Sequence, residues 1–168
     1  MRLATVYASE ASMRASIAGR EPSLRAAMDR LRSRTEWGVK GYVVPGTAAP
    51  PPEIGGSGGA GAAYLRRRRD ELASQKDARR ETLASAEIIH AELSRYAADA
   101  RLHPPQAPQL TGSKELMILN AAYLVDDGQA DDFAAMVEAL AEQYPSVRLE
   151  LTGPWPPYSF AGNPERED

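Results

Sequence analysis

The stretch Glu115–Val125 (ELMILNAAYLV) is apolar at odd and even positions alike. A strand with one wet face alternates apolar and polar side chains, whereas a strand covered on both faces reads as a near-continuous apolar run. This stretch is therefore expected at the centre of a sheet, and the rest of the chain must supply its neighbours and its cover. The residues that follow do some of each. Asp126-Asp127-Gly128 forms a turn. Phe133, Met136, Val137 and Leu140 share one face of a helix, with Asp131 and Asp132 in its first turn, where the helix dipole favours anions. Tyr144-Pro145 ends that helix. Val147, Leu149 and Leu151 then alternate with Arg148 and Glu150, as in a half-buried strand.

Upstream, Leu3–Ala8 (LATVYA) reads as a short strand, and Ser9 or Ser12 can cap the helix after it. Leu24, Ala27, Met28 and Leu31 fall on one face of that helix, which Pro22 either starts or breaks. Glu36–Val44 (EWGVKGYVV) is the next strand, with Trp37 and Val39 on one side and Tyr42 and Val44 on the other. Residues 45–61 (PGTAAPPPEIGGSGGAG) are a flexible linker by composition. A continuous helix is predicted from Ala62 to Leu102, stopped by Pro104 and Pro105, with Ile89, Leu93, Tyr96 and Ala100 as its buried stripe. Its first half, with Leu65 and Leu72 around Arg66–Arg69, reads as a projecting arm.

The order strand–helix–strand, long helix, strand–helix–strand predicts an α+β fold. Its simplest form is a ferredoxin-like four-stranded antiparallel sheet with helices on one face, the long helix inserted between the second and third strands. The implied divisions are a first βαβ half at 1–44, a linker at 45–61, a long helical segment at 62–103 and a loop at 104–113. A second βαβ half with a C-terminal strap occupies 114–160, and 161–168 is a disordered tail.

Composition excludes several functions. With no cysteine and only His90 and His103, thiolate sites, cysteine nucleophiles and three-histidine metal sites are impossible. No apolar run approaches the roughly 20 residues that span a bilayer, and the N-terminus lacks the long apolar region of a signal peptide. A cytoplasmic protein without membrane contact is expected. The net charge of −3 exerts no global pull toward nucleic acid. Asp126, Asp127, Asp131 and Asp132 lack EF-hand spacing, and GGSGGAG has no Lys-Ser/Thr after it to make a phosphate loop. No set of nucleophile, base and orienting group can be assembled. No catalytic activity, metal or cofactor is expected.

Residues 151–160 read LTGPWPPYSF. Its prolines forbid a helix and a central strand, and its three aromatic rings are too apolar for an ordinary tail. The run is expected to be a strap, with Trp155 packed on the chain's own core and Tyr158 and Phe160 left outward for a partner. Arg66–Arg69 wind round their helix, either as a solvated helix start or as a partner-binding arm.

The residues LNAAYLV (119–125) and LTGPWPPYSF closely resemble the C-terminal region of the GvpF/GvpL family of gas vesicle proteins, which shows N-A-A-Y-L-V, a helix, then L-T-G-P-W-P-P-Y-S-F. Weaker likenesses are Arg2–Ser9 to the family's R-x-G-T-V strand (Ala4 for the usual Gly), Thr35–Val43 to E-W-x-V-K-x-Y, and Gly61–Arg69 to G-x-x-Y-L-x-R. Family members usually carry another small α/β domain before the first of these strands. The resemblance implies a non-enzymatic accessory protein of gas vesicle assembly, located in the cytoplasm and at the vesicle. Its implied partners are the small hydrophobic shell protein and other accessory proteins, with self-association a further expectation. The candidate contact residues are Trp155, Tyr158, Phe160, Tyr64, Arg66 and Arg67. The alternative is a small ligand-binding or regulatory ferredoxin-like domain, which would show a pocket lined by convergent polar groups.

Overall fold

A computed structural model of the chain describes residues 6–44, 60–106 and 115–162. The first described element is α1 (Glu10–Leu31), begun by the Ser9 hydroxyl, which accepts from the Ser12 N–H at 3.1 Å. Pro22 lies inside α1 without ending it. A turn through Ser33, at φ 55°, leads into β1 (Arg34–Val43). The long α2 (Ala60–Tyr96) is followed by β2 (Asp99–Leu102), and β3 (Met117–Asp126) by a single 3-10 turn, Asp127–Gln129. Then come α3 (Ala130–Gln143), β4 (Val147–Trp155) and a last 3-10 turn, Tyr158–Phe160.

The four strands form one sheet in the order β2-β3-β1-β4, antiparallel at every pairing. The expected ferredoxin-like sheet is present, and β3 is a central strand, but its first half is assembled from other segments than the sequence suggests. That half is β1–α2–β2, so α2 is its crossover helix rather than an insertion, and α1 precedes the motif. The first half of the expected strand Leu3–Ala8 lies outside the described residues; Val6, Tyr7 and Ala8 are described and belong to no strand. The sheet's fourth strand is instead Asp99–Leu102, which the sequence pattern alone assigns to the long helix. Those residues pair with Leu124 to Ala121 of β3, and the open edge of an apolar central strand overrides their weak local helix preference. The linker expectation falls on residues mostly outside the described ones, as do much of the 104–113 loop and of the 161–168 tail.

One face of the sheet carries the main core. Val39, Leu119, Ala121, Tyr123, Val125 and Val147 meet Ala86, Ile89 and Leu93 of α2 and Phe133, Val137 and Leu140 of α3. Phe133 is at its centre, its ring 5.5 Å from that of Tyr123 and 6.3 Å from that of Trp37. Even-numbered positions of β3 face the other way, where Ala122 and Leu124 are covered by Phe160 and by Leu31 at the end of α1. The helix α2 is docked only along its second half. Among its described side chains none before Thr82 is buried, so some 22 residues, or about 33 Å at 1.5 Å per residue, extend beyond the core.

Candidate partner-binding surface

The strap is built on the last strand. Glu36 of β1 pairs with Trp155, and the register shifts between Glu36 and Gly38. Opposite that shift stands Gly153, at φ +126°, a conformation L side chains rarely adopt. A Cβ there would lie 2.9 Å from the Glu36 carbonyl oxygen, so the motif's glycine is required by backbone conformation and by close approach. Beyond Trp155 the chain folds back through the turn at Tyr158–Phe160. The Glu36 carboxylate accepts from the Ser159 N–H at 2.8 Å and from its hydroxyl at 2.6 Å. Arg30 donates to the Phe160 carbonyl at 2.6 Å and to that of Gly162 at 3.3 Å. The Phe160 ring sits on Ala122 and Leu124, with the Arg101 guanidinium 5.5 Å from its centroid.

This arrangement corrects the expected roles of the aromatic residues. Phe160 is fully buried, whereas Trp155 is 55% exposed and Tyr158 66% exposed. The strap is anchored by its last ring, because the 3-10 turn reverses the chain and drives Phe160 into the sheet's second face. Trp155 and Tyr158 are held on the outside, and Phe160 offers no surface to a partner.

Of the other sequence candidates, Arg66 and Arg67 are exposed on the projecting part of α2, far along the chain from the strap, and the Tyr64 side chain falls outside the described residues. Leu65 and Leu72 are exposed on the same arm. A groove of about 430 Å³ runs along α2 beside Lys76, Arg80 and Leu83, and one of about 300 Å³ lies between α1 and the end of the strap. Both are open concavities rather than enclosed pockets. Among the described residues no group of three or more His, Asp or Glu could hold a metal ion. His90 instead serves structure. Its Nδ1 lies 2.8 Å from the hydroxyl of the buried Tyr123, and burial lowers its pKa and raises that of the phenol. The acidic group is dispersed, with Asp126 bound by Arg34 at 2.7 Å and Asp131 and Asp132 in the first turn of α3. No described helix is long and apolar enough to cross a membrane.

Sheet topology and helix placement together define a ferredoxin-like α+β domain. Residues 1–162 match the family model for the gas vesicle synthesis protein GvpL/GvpF, and the chain belongs to that family. It is 39% identical over 174 residues to gas vesicle protein L of Streptomyces sp. (strain CB03234), covering 99% of this chain and 63% of that protein. It is 39% identical over 44 residues to gas vesicle protein F1 of Halobacterium salinarum, a match covering 26% of this chain and 21% of the relative. The fold is shared with the crystal structure of GvpF from Microcystis aeruginosa, with a TM-score of 0.62 at 18% identity over 97% of this chain and 69% of that one. For GvpF from Anabaena sp. PCC7120 the TM-score is 0.65 at 16% identity, over 97% and 68%.

Proposed function

We propose that this chain is a non-enzymatic accessory protein of gas vesicle assembly, acting in the cytoplasm and at the vesicle by binding the hydrophobic shell protein or a fellow assembly factor. Family membership supports the assembly role. The observation that carries the binding role is the exposure of Trp155 and Tyr158 on a strap anchored at Ser159 and Phe160. A ring held outward by a fixed backbone loses little conformational freedom on binding, and Trp and Tyr are the residue types that most often dominate interfaces. An apolar shell protein is the partner such rings suit, since burying them needs no matching charge. The exposed arm of α2 with Arg66 and Arg67 is a second contact surface in this reading.

The test is direct. Purified shell protein is immobilised, and the chain is titrated against it with and without Trp155→Ala and Tyr158→Ala together. The double variant is expected to keep its circular dichroism spectrum and lose at least about tenfold in affinity. Unchanged affinity in a folded double variant overturns the assignment of the strap. No binding of the unaltered chain to the shell protein or to any co-purified assembly factor overturns the function itself.

A further inference from the structure

No residue of α1 is buried, although it runs for 22 residues with a proline inside it. Most of the stability of a helix in a protein comes from packing one of its faces rather than from local propensity. The apolar side chains of α1 are nevertheless arranged. By helical spacing Met13, Ile17, Leu24, Met28 and Leu31 lie along one face, and Pro22 falls on the opposite one. Leu31 is covered by the chain's own Leu124–Phe160 cluster, but the other four are between 37% and 63% exposed.

The stripe reads the same in both directions about the bond between Arg20 and Glu21. Ile17 and Leu24 are equally far from that midpoint, and so are Met13 and Met28. A two-fold interface needs this property, because if residue i meets residue j, then j must meet i. Charge follows the same symmetry. At the centre a cation and an anion stand side by side, so reversal brings each Arg20 to the other copy's Glu21. At the ends, reversal brings Glu10 near a last turn in which Arg30 is held by the strap carbonyls and Arg32 pairs with Asp29 at 2.8 Å, so the central Arg20 and Glu21 carry the charge complementarity. Glu21 now pairs with Arg25 of its own helix at 2.8 Å, but both side chains are well exposed and such a pair is weak enough to be shared.

We propose that α1 pairs antiparallel with α1 of a second copy of this chain, about a two-fold axis passing between Arg20 and Glu21. The partner's Ile17 arrives at Leu24, beside the groove of about 300 Å³ lined by Ala27, Arg30, Ala161 and Gly162. Each sheet follows the C-terminal end of its own α1, so the antiparallel pair directs the two sheets toward opposite ends of a helix about 33 Å long. A parallel pair would set Glu21 against Glu21 and crowd the sheets together. The inference is independent of shell-protein binding.

Sedimentation equilibrium of the full chain is expected to show a monomer–dimer equilibrium. Met13, Ile17, Arg20, Glu21 and Leu24 are all exposed, so substitutions there are expected to leave the circular dichroism spectrum unchanged. Ile17→Asp with Leu24→Asp is expected to give a monomer. Arg20→Glu alone is expected to raise the dimer dissociation constant at least about tenfold, and adding Glu21→Arg to return it to within about threefold of the original. The chain has no cysteine, so single thiols report geometry. Arg20→Cys should couple to itself through a short bifunctional thiol reagent, and Met13→Cys should not. A monomer up to concentrations on the order of 100 μM overturns the proposal. So does a dimer indifferent to the Asp variants, no recovery in the charge-swapped variant, or equal coupling of the two thiols.

Discussion

Glu36 and Ser159 lie 123 positions apart in the chain and share two hydrogen bonds, the serine's N–H and hydroxyl both donating to one carboxylate. The pair closes the strap onto β1 where the register of β1 and β4 shifts. Hydrogen bonds to a charged group contribute about 1.5–3 kcal/mol, and cutting both leaves a backbone N–H to find water at a partly buried site. Glu36→Ala is expected to lower stability by about 2–3 kcal/mol in urea denaturation, and Glu36→Gln, which still accepts, by less. A Glu36→Ala variant as stable as the unaltered chain would show that the strap does not depend on this anchor.

Gly153 gives a second prediction about the same junction. Any side chain there meets the Glu36 carbonyl and imposes a left-handed backbone on a residue with a Cβ. Gly153→Ala is expected to cost about 2 kcal/mol or more, and Gly128→Ala, where a Cβ meets nothing within 4 Å, far less. Thermal unfolding of the two variants side by side makes the comparison.

His90 makes stability depend on pH. Burial lowers its pKa below the ordinary value of about 6.5, because a charged ring would be desolvated beside Tyr123. As pH falls through about 6.5 the unfolded chain takes up a proton that the folded chain still refuses, so stability declines toward lower pH. Above about pH 7 the contribution is complete. Carboxylates add their own slope at lower pH, so the test is a difference. His90→Gln should show a flatter stability profile between about pH 7 and pH 5 than the unaltered chain, by denaturation at each pH. Parallel profiles would remove His90 from the account.

The sequence discloses elements whose periods are local and hides those decided by distant neighbours. Both faces of β3, the buried side of α3 at Phe133, Val137 and Leu140, and the alternation of β4 were legible because each repeats a pattern within its own span. Nothing in Asp99–Leu102 marks a strand. Four residues carry no usable period, and their conformation is set by the free edge of β3. That short strand also decides the topology, which is why local pattern alone sets the first βαβ half one element too early. At the site, the motif's membership was legible but its orientation was not. Three rings in ten residues give no rule for which one turns inward, and the 3-10 turn that chooses Phe160 leaves no signature beyond Ser159, whose distant partner is Glu36.

The choice of ring yields the prediction that most sharply separates structure from binding. Phe160 is fully buried over Ala122 and Leu124, under the Arg101 guanidinium, and its carbonyl is held by Arg30. Truncating a buried phenylalanine costs about 3–5 kcal/mol, the lost transfer of the ring plus the cavity left behind. Trp155 is larger, but over half of it is in water, and removing surface that is already wet forfeits little. Phe160→Ala is therefore expected to destabilise the chain by about 3–5 kcal/mol, and Trp155→Ala by less than about 1 kcal/mol. Affinity for the shell protein should follow the opposite order once folded fractions are equalised. The strap of Phe160→Ala is freed at its end yet keeps its tryptophan, whereas Trp155→Ala keeps the anchor and loses the contact. Denaturation and binding curves on the same two variants settle both halves. Should Trp155→Ala be the costlier for stability, the tryptophan is part of the core and the exposed-ring account of the strap fails.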